Sequence, residues 1–512
     1  MPELPREVVL GLDVGTTAAK VVAFGVDLPW RWSTEREYPL HEPEPGHQVQ
    51  DPEQVVAAAL GALADVVATT GSDAVIGISL SSAMHGLIGL DAARRPVTPL
   101  LTWADARSST QAARLRADGT ARRLHDLTGT PVHPMTPLTK LAWFAENEPA
   151  TCERVRWWVG LKDFVLLHLT GELLTEQSSA SGTGLLDRTA RTWAPDALAV
   201  AGVEADRLPP VLPPSAVRPL AVSAAQVTGL RSGTPVVLGG ADGPLGNLGT
   251  GATDPGVLGL SLGTSGAVRM VVDAPPERLD PALFCYTLTE STWVVGGAVS
   301  TGGAVVRWAG RALTPDLHEQ PGGHGVDEQV LDLAASVPPG SDGLVMLPYV
   351  LAERAPLWDP DVPGALLGLA RRHGRAHVLR AGLEGVALQL SLIAERIDRA
   401  VAPVTSVRAT GGVFRSELWT QVVAAALDRP FVLAEAEEGT ALGAAALGLA
   451  ALGRAASPVA AVPLLRDSDE PEPVEVRRDP ELVAAAAATR ARLPRLLEAL
   501  APVHDLLADG DA

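Results

Sequence analysis

Two stretches about 250 residues apart share one design, and this repeat constrains the fold more than any other feature of the chain. The first is GLDVGTTAAKVVAF (11–24) and the second LSLGTSGAVRMVV (260–272). In the first copy, Val8, Val9 and Leu10 lead in and Val21 to Phe24 lead out, so two buried strands flank a polar turn. Gly15 permits that turn, and Thr16 and Thr17 offer hydroxyls and N–H groups at its tip. Taken alone, such a hairpin is as consistent with an ordinary polar turn as with a phosphate cradle. Two related copies imply two related domains, each presenting a turn suited to a nucleotide's phosphates. Asp13 is then placed to hold a metal ion or its waters, and Lys20 to offset charge. Gly263 and Thr264 take the corresponding places in the second copy. Neither copy is the Gly-x4-Gly-Lys-Ser/Thr loop that opens a helix.

The rest of the composition fits this picture. A chain of 512 residues exceeds one hydrophobic core and predicts two large domains. Its formal net charge of −19 argues against a nucleic-acid footprint and against anionic membrane surfaces. An anionic small molecule is still admissible, because a site needs only local positive potential. Cys152 and Cys285, the two cysteines, lie far apart and lack zinc-ligand spacing, which predicts reduced thiols and a cytoplasmic protein. The N-terminus MPELPREVVL has no secretory pattern, and no uninterrupted apolar stretch has transmembrane length. Among 41 Lys plus Arg, only Lys20, Lys140 and Lys162 are lysines. Against that arginine background, a retained lysine points to a need for a compact ammonium group.

Along the chain, 51–70 reads as a helix with Asp51 as N-cap, Pro52 at its first position and Gln54 completing a capping box. A buried strand at 74–80 runs into SSAMHG. Strand–helix–strand alternation with polar loops at strand ends predicts an α/β architecture whose ligands gather at those ends. TPVVLGGADG (234–243) is one such strand end, and VRATGGVFRSELWTQVVAAALDRP (407–430) is a strand, a Gly411-Gly412 turn and a helix. A long amphipathic helix is expected near 376–401, and the small-residue stretch 441–452 suits close packing. Segment 466–480 reads as a charged loop. A last helical stretch from 479 to about 500 should break near Pro494, and the acidic end should fray.

GLDVGTTAAK, MHG (84–86), TWADARS (102–108), GGADGPLGNLGTG (239–251), SLGTSG (261–266), ERAPLWDP (353–360) and ATGGVFRSELW (409–419), in this order, resemble the FGGY carbohydrate kinases of the actin-like ATPase superfamily. The likeness covers nearly the whole chain. TWADARS, GTPVHPMTPLTKLAWF (129–144), FCYTL (284–288) and ERAPLW look more like the gluconate kinases than the xylulose, ribulose or glycerol kinases. Ala106 stands where that subgroup usually has asparagine, and Ala18-Ala19 where one serine is common.

The resemblance implies two ribonuclease-H-like α/β domains, 1–248 and 249–512, with a central interdomain cleft. It also implies ATP and Mg2+, with Asp242 of GGADG as catalytic base; in isolation a D-G dipeptide is equally a turn. Thr16, Thr17 and Lys20 would take phosphate oxygens from one side, Gly263 and Thr264 from the other. Gly302, Gly303, Gly411 and Gly412 would suit the ribose and adenine. Three sugar walls follow. Met84 and His85 form the first; Trp103, Asp105 and Arg107 the second; HPMTPLTK (133–140), with His133 and Lys140, the third. Tryptophan packs on a polyol's C–H face and a carboxylate accepts its hydroxyls. Lys140, Arg107 and a protonated His133 are the cations available to a sugar acid's carboxylate. The acceptor expected from the likeness is D-gluconate, giving 6-phospho-D-gluconate. A pentulose or polyol kinase is the rival within the family, and a non-catalytic ATP-binding switch the rival outside it. The implied partner is a small sugar acid or polyol, with no nucleic acid and no membrane; a homodimer is admitted by the sequence but not specified.

Overall fold

The computed structural model describes residues 4–318, 326–434, 438–466 and 473–508. The acidic end at 509–512 and residues 467–472 of the charged loop lie outside the described residues. Two compact units are present: Met1–Asp254, Val271–Val295 and Ala436–Pro471 form the first, and Pro255–Met270, Gly296–Glu435 and Glu472–Ala512 the second. Where the sequence reading divides the chain once, after 248, two later segments pack with the first unit. The reason for one of them is close approach. The helix Gly439–Ala451 lies on the strand Val8–Val14 so tightly that a Cβ at Gly11 would sit 2.2 Å from the Ala441 carbonyl oxygen. Only glycine fits there.

The first unit is built on a six-stranded sheet in the order Val217–Pro219, Pro235–Ala241, Val75–Ser82, Val8–Val14, Ala18–Gly25, Arg31–Glu37. The three middle strands, Pro235–Ala241, Val75–Ser82 and Val8–Val14, are mutually parallel, so their carboxyl ends share one edge. Register fixes what meets there: Val14 pairs with Ser82, and Ser82 with Ala241. The helix Pro52–Thr70 covers the sheet through Val55, Ala59, Leu63 and Val66, all fully buried. It is long and apolar enough to cross a membrane by composition, yet this face forms core. Its N-cap is Asp51, which accepts from Glu53 N at 2.9 Å. Gln54 donates to the Asp51 side chain and not to its backbone, so the capping box is not reciprocal.

In the second unit the hairpin strands Val257–Leu262 and Gly266–Val272 pair antiparallel. Val257–Leu262 also pairs parallel with Ser406–Thr410, which pairs parallel with Phe431–Leu433. The first unit has the same pattern, an antiparallel hairpin whose first strand begins a parallel series. Part of the expected charged loop is a strand, because Val474–Glu475 pairs with Phe431–Leu433. The long helix runs Arg375–Ala400. The terminal helix breaks earlier than Pro494, into Pro480–Arg490 and Leu493–Ala508. Pro494 then occupies the first turn of the second piece, where a missing N–H is harmless.

Candidate active site

The parallel strands deliver two carboxylates to one edge of the first unit. Asp13 is the penultimate residue of Val8–Val14, and Asp242 follows Pro235–Ala241 as the first residue of the helix Asp242–Gly249. Asp242 accepts from Gly243 N at 2.8 Å, and a helix N-terminus favours its negative charge. Asp13 has a buried Oδ1 with no hydrogen-bond partner of good geometry. Burial foremost, and then the Asp242 charge, push its pKa up to about 6; the Ser81 hydroxyl and Lys20 pull the other way. A buried, under-satisfied carboxylate oxygen beside a second carboxylate suits a hard divalent cation that keeps most of its water. No group of three or more His, Cys, Asp or Glu exists among the described residues to cage a metal alone. Lys20 pairs across the hairpin with Asp13 and lies 3.9 Å from both Glu35 and Glu438.

The first turn is a tight hairpin, with Gly15 N donating to Ala18 O at 2.9 Å. Its carbonyls are all held from behind. Gly15 O accepts from the Tyr38 hydroxyl at 2.7 Å, Thr16 O from Gln50 Nε2 at 2.7 Å, and Thr17 O from Tyr38 N at 3.0 Å. What the tip offers an anion is therefore N–H groups and the Thr17 hydroxyl. Tyr38 and Gln50 were not legible as supports, because nothing local in the sequence ties them to the turn. Trp103 Nε1 donates to the Thr16 hydroxyl at 3.0 Å, so the TWADARS segment touches the first turn directly. Trp103→Phe keeps a ring and deletes this bond. We expect KM for the phosphoryl donor to rise about 2- to 10-fold, the equivalent of one hydrogen bond. Steady-state kinetics with varied ATP checks it, and an unchanged KM would show that the bond does not shape the turn.

The three segments expected to wall a sugar come together in the first unit, but not with the free charges expected. Arg107 Nε and Nη2 fork onto Asp105 Oδ1 and Oδ2, both at 2.8 Å, and the pair is buried. The Arg107 guanidinium also lies 5.1 Å from the centre of the Trp143 ring. The expectation that Arg107 is available to a sugar acid's carboxylate is corrected: its Nε and Nη2 are committed to Asp105. Lys140 is corrected further. It is fully buried, and its ammonium donates to the carbonyls of His85, Thr102 and Met135 at 3.0, 2.6 and 2.8 Å. All three N–H groups are spent on backbone, leaving none for a substrate carboxylate. His133 is buried and accepts from Met135 N through Nδ1 at 3.2 Å, which opposes a protonated ring. His85 holds a left-handed backbone (φ 66°), its Nδ1 is 2.7 Å from Gly182 O, and its ring meets Tyr286 of FCYTL edge-on at 6.0 Å. Met84 and His85 also line a small cavity of about 40 Å³ with Trp158 and Lys162.

In the second unit, Gly263, Thr264, Gly303 and Gly412 line an open pocket of about 600 Å³, which Trp419 also lines. Gly302 and Gly411 sit behind that surface. Gly303 N donates to Gly263 O at 2.7 Å and Gly302 N to Thr264 O at 2.9 Å, so the Gly-Gly step rests on the turn. Gly411 has φ 124°, and a Cβ there would lie 2.1 Å from Leu262 O. Arg307, not foreseen from the sequence, lines the same pocket and donates to the Thr264 hydroxyl at 2.9 Å. The volume suits a nucleoside-sized ligand.

Residues 8–249 match the N-terminal domain of the FGGY family of carbohydrate kinases, and residues 258–452 match its C-terminal domain. The chain is 35% identical to the gluconokinase of Bacillus subtilis (strain 168) over 439 residues, covering 85% of this chain and 86% of that one. Its fold is similar to a gluconate kinase from Lactobacillus acidophilus, with TM-score 0.89 and 29% identity over 98% of this chain and 99% of that one. A ligand-bound xylulose kinase from the same organism matches equally in shape, with TM-score 0.89 and 30% identity over 98% of this chain and all of that one.

Proposed function

The chain belongs to the FGGY family of carbohydrate kinases and is an ATP-dependent sugar kinase; on that premise we propose that its acceptor is D-gluconate, phosphorylated at the terminal hydroxyl to 6-phospho-D-gluconate. The observation that carries the phosphotransfer half of this reading is the carboxylate pair at the shared strand edge. Asp242 accepts the proton of the attacking hydroxyl, as a base held at a helix N-terminus and aimed from a rigid strand end. Asp13, with Asp242 beside it, would hold Mg2+. When bound, that ion neutralises charge developing on the phosphate oxygens. In the first unit the N–H groups of Thr16 and Thr17 and the Lys20 ammonium take phosphate oxygens. In the second, Gly263, Thr264, Gly303 and Gly412 take the nucleotide, with Gly302 and Gly411 allowing close approach. Trp103, His85 and Met84 orient the sugar.

Gluconate is favoured by the likeness to the gluconokinase and by the TWADARS and HPMTPLTK walls. The equal likeness in shape to a xylulose kinase supports the second reading, a pentulose kinase. A coupled ADP-release assay over gluconate, xylulose, ribulose and glycerol decides between them. We expect kcat/KM for gluconate to exceed each other sugar by at least about tenfold, a preference of roughly 1.4 kcal/mol. Preference for xylulose would overturn gluconate and leave the kinase assignment standing.

A further inference from the structure

We infer that Lys140 is the positioning residue of the sugar site, a single ammonium that ties its three walls into one rigid unit. The carbonyls it binds come from separate segments: His85 in MHG, Thr102 at the head of TWADARS, and Met135 within HPMTPLTK. Two of them are 55 and 38 residues away in sequence. The Leu87–Leu101 bridge joins the first two segments and the Ser108 hydroxyl bonds Pro134 O and Thr139 across the last two, while the ammonium bonds all three at once. The inference rests on the reading of these walls as the sugar site.

Lysine suits this task where arginine does not. Three donors fan out from one nitrogen on a flexible stem and reach three carbonyls that do not share a plane, whereas a guanidinium is a flat fork. In a chain with 41 basic residues and three lysines, this position keeps a lysine. The tie also explains how His85 holds its left-handed backbone, a costly conformation for a non-glycine residue. Its carbonyl is fixed by Lys140 and its ring by Gly182 O. The charged groups facing the ammonium are Asp105 and Arg107, which are forked together, so carbonyl dipoles carry most of its stabilisation. Burial accordingly pushes its pKa down to about 7.

A group that shapes the site without touching the substrate acts on every sugar alike. Lys140→Met, which keeps the stem and deletes the donors, should raise KM about 10- to 100-fold for both gluconate and xylulose, so far as the wild type turns each over. KM for ATP should rise no further than in Trp103→Phe, about 2- to 10-fold, because that ring follows Thr102 in the segment the ammonium holds. Lys140→Gln, which keeps two donors, should fall between. A loss confined to gluconate would overturn the inference in favour of a carboxylate ligand. Unchanged sugar KM in a folded variant would overturn it in favour of a stability role alone. If the wild type phosphorylates no sugar, the functional reading fails, and hydrogen exchange decides the tie by itself. In the wild type, 84–86, 102–107 and 133–136 should exchange as one cooperative unit, and in Lys140→Gln all three should lose protection together while Arg375–Ala400 keeps its own. Independent exchange of the three segments in the wild type, which needs no variant to fold, would overturn it.

Discussion

Replacing Asp242 with asparagine is expected to lower kcat by about 10²–10⁴-fold while the protein stays folded and still binds ATP. The size of the effect follows from removing a positioned base, and the sparing of the fold from where the residue sits. Asp242 opens a helix at a strand end, partly exposed, and its Oδ1 accepts from its neighbour's N–H. Asparagine keeps that acceptor and gives up only the favourable charge at the helix terminus, worth roughly 0.3–1 kcal/mol. A second consequence separates base chemistry from a damaged site. The Asp242 charge is one cause of the raised Asp13 pKa, so the asparagine variant should bring Asp13 back toward the usual carboxylate range. Carboxyl titration by NMR would read this. Single-turnover and steady-state assays with the purified variant measure the loss; turnover near wild type would remove Asp242 from the mechanism.

The parts of this site that could be read from the sequence are those fixed by short-range geometry. The hairpins needed only apolar runs around a Gly-Thr turn, and their repetition gave the two-part architecture. The place of Asp242 at a strand end was legible because an apolar run and a Gly pair precede it within a few residues. Its proximity to Asp13 was not, since it depends on the parallel register Val14–Ser82–Ala241 across more than 200 residues. The charged candidates failed for a related reason. Residue type marked Asp105, Arg107, His133 and Lys140 as able to bind a polyol acid. Burial decided instead that Asp105 and Arg107 bind each other and that Lys140 binds backbone. A buried charge must be paired or hydrogen-bonded nearby, so its partners are chosen by packing and not by the ligand's chemistry. The scarcity of lysine was the better signal: two of the three, Lys140 and Lys162, are buried ammonium groups.

Lys162 gives the largest expected effect on stability. It pairs with Glu176 where both side chains are almost wholly shielded from water, at 2% and 0% exposure. The same carboxylate accepts from Ser178 N and Ser179 N, capping the short helix Gln177–Ser181. The Ser178 hydroxyl in turn accepts from Ala241 N at 3.1 Å, one residue before Asp242. Lys162→Met removes one partner and strands a buried carboxylate, a change that costs about 3–5 kcal/mol. The burial that pushes the Lys162 pKa down is opposed by the Glu176 charge, as expected when each charge is tolerated because of the other. Adding Glu176→Gln to Lys162→Met removes the stranded charge while keeping acceptor capacity for the helix cap, so the double variant should recover more than half of the lost stability. Urea unfolding of the four proteins in this cycle measures the coupling. If the double variant is no more stable than Lys162→Met, the loss arises from packing of the lysine stem and the ion pair contributes nothing. Recovery of stability with kcat also restored would show that the stranded Glu176 charge reaches Asp242 through Ser178, and the cycle would then be read in turnover as well as in unfolding.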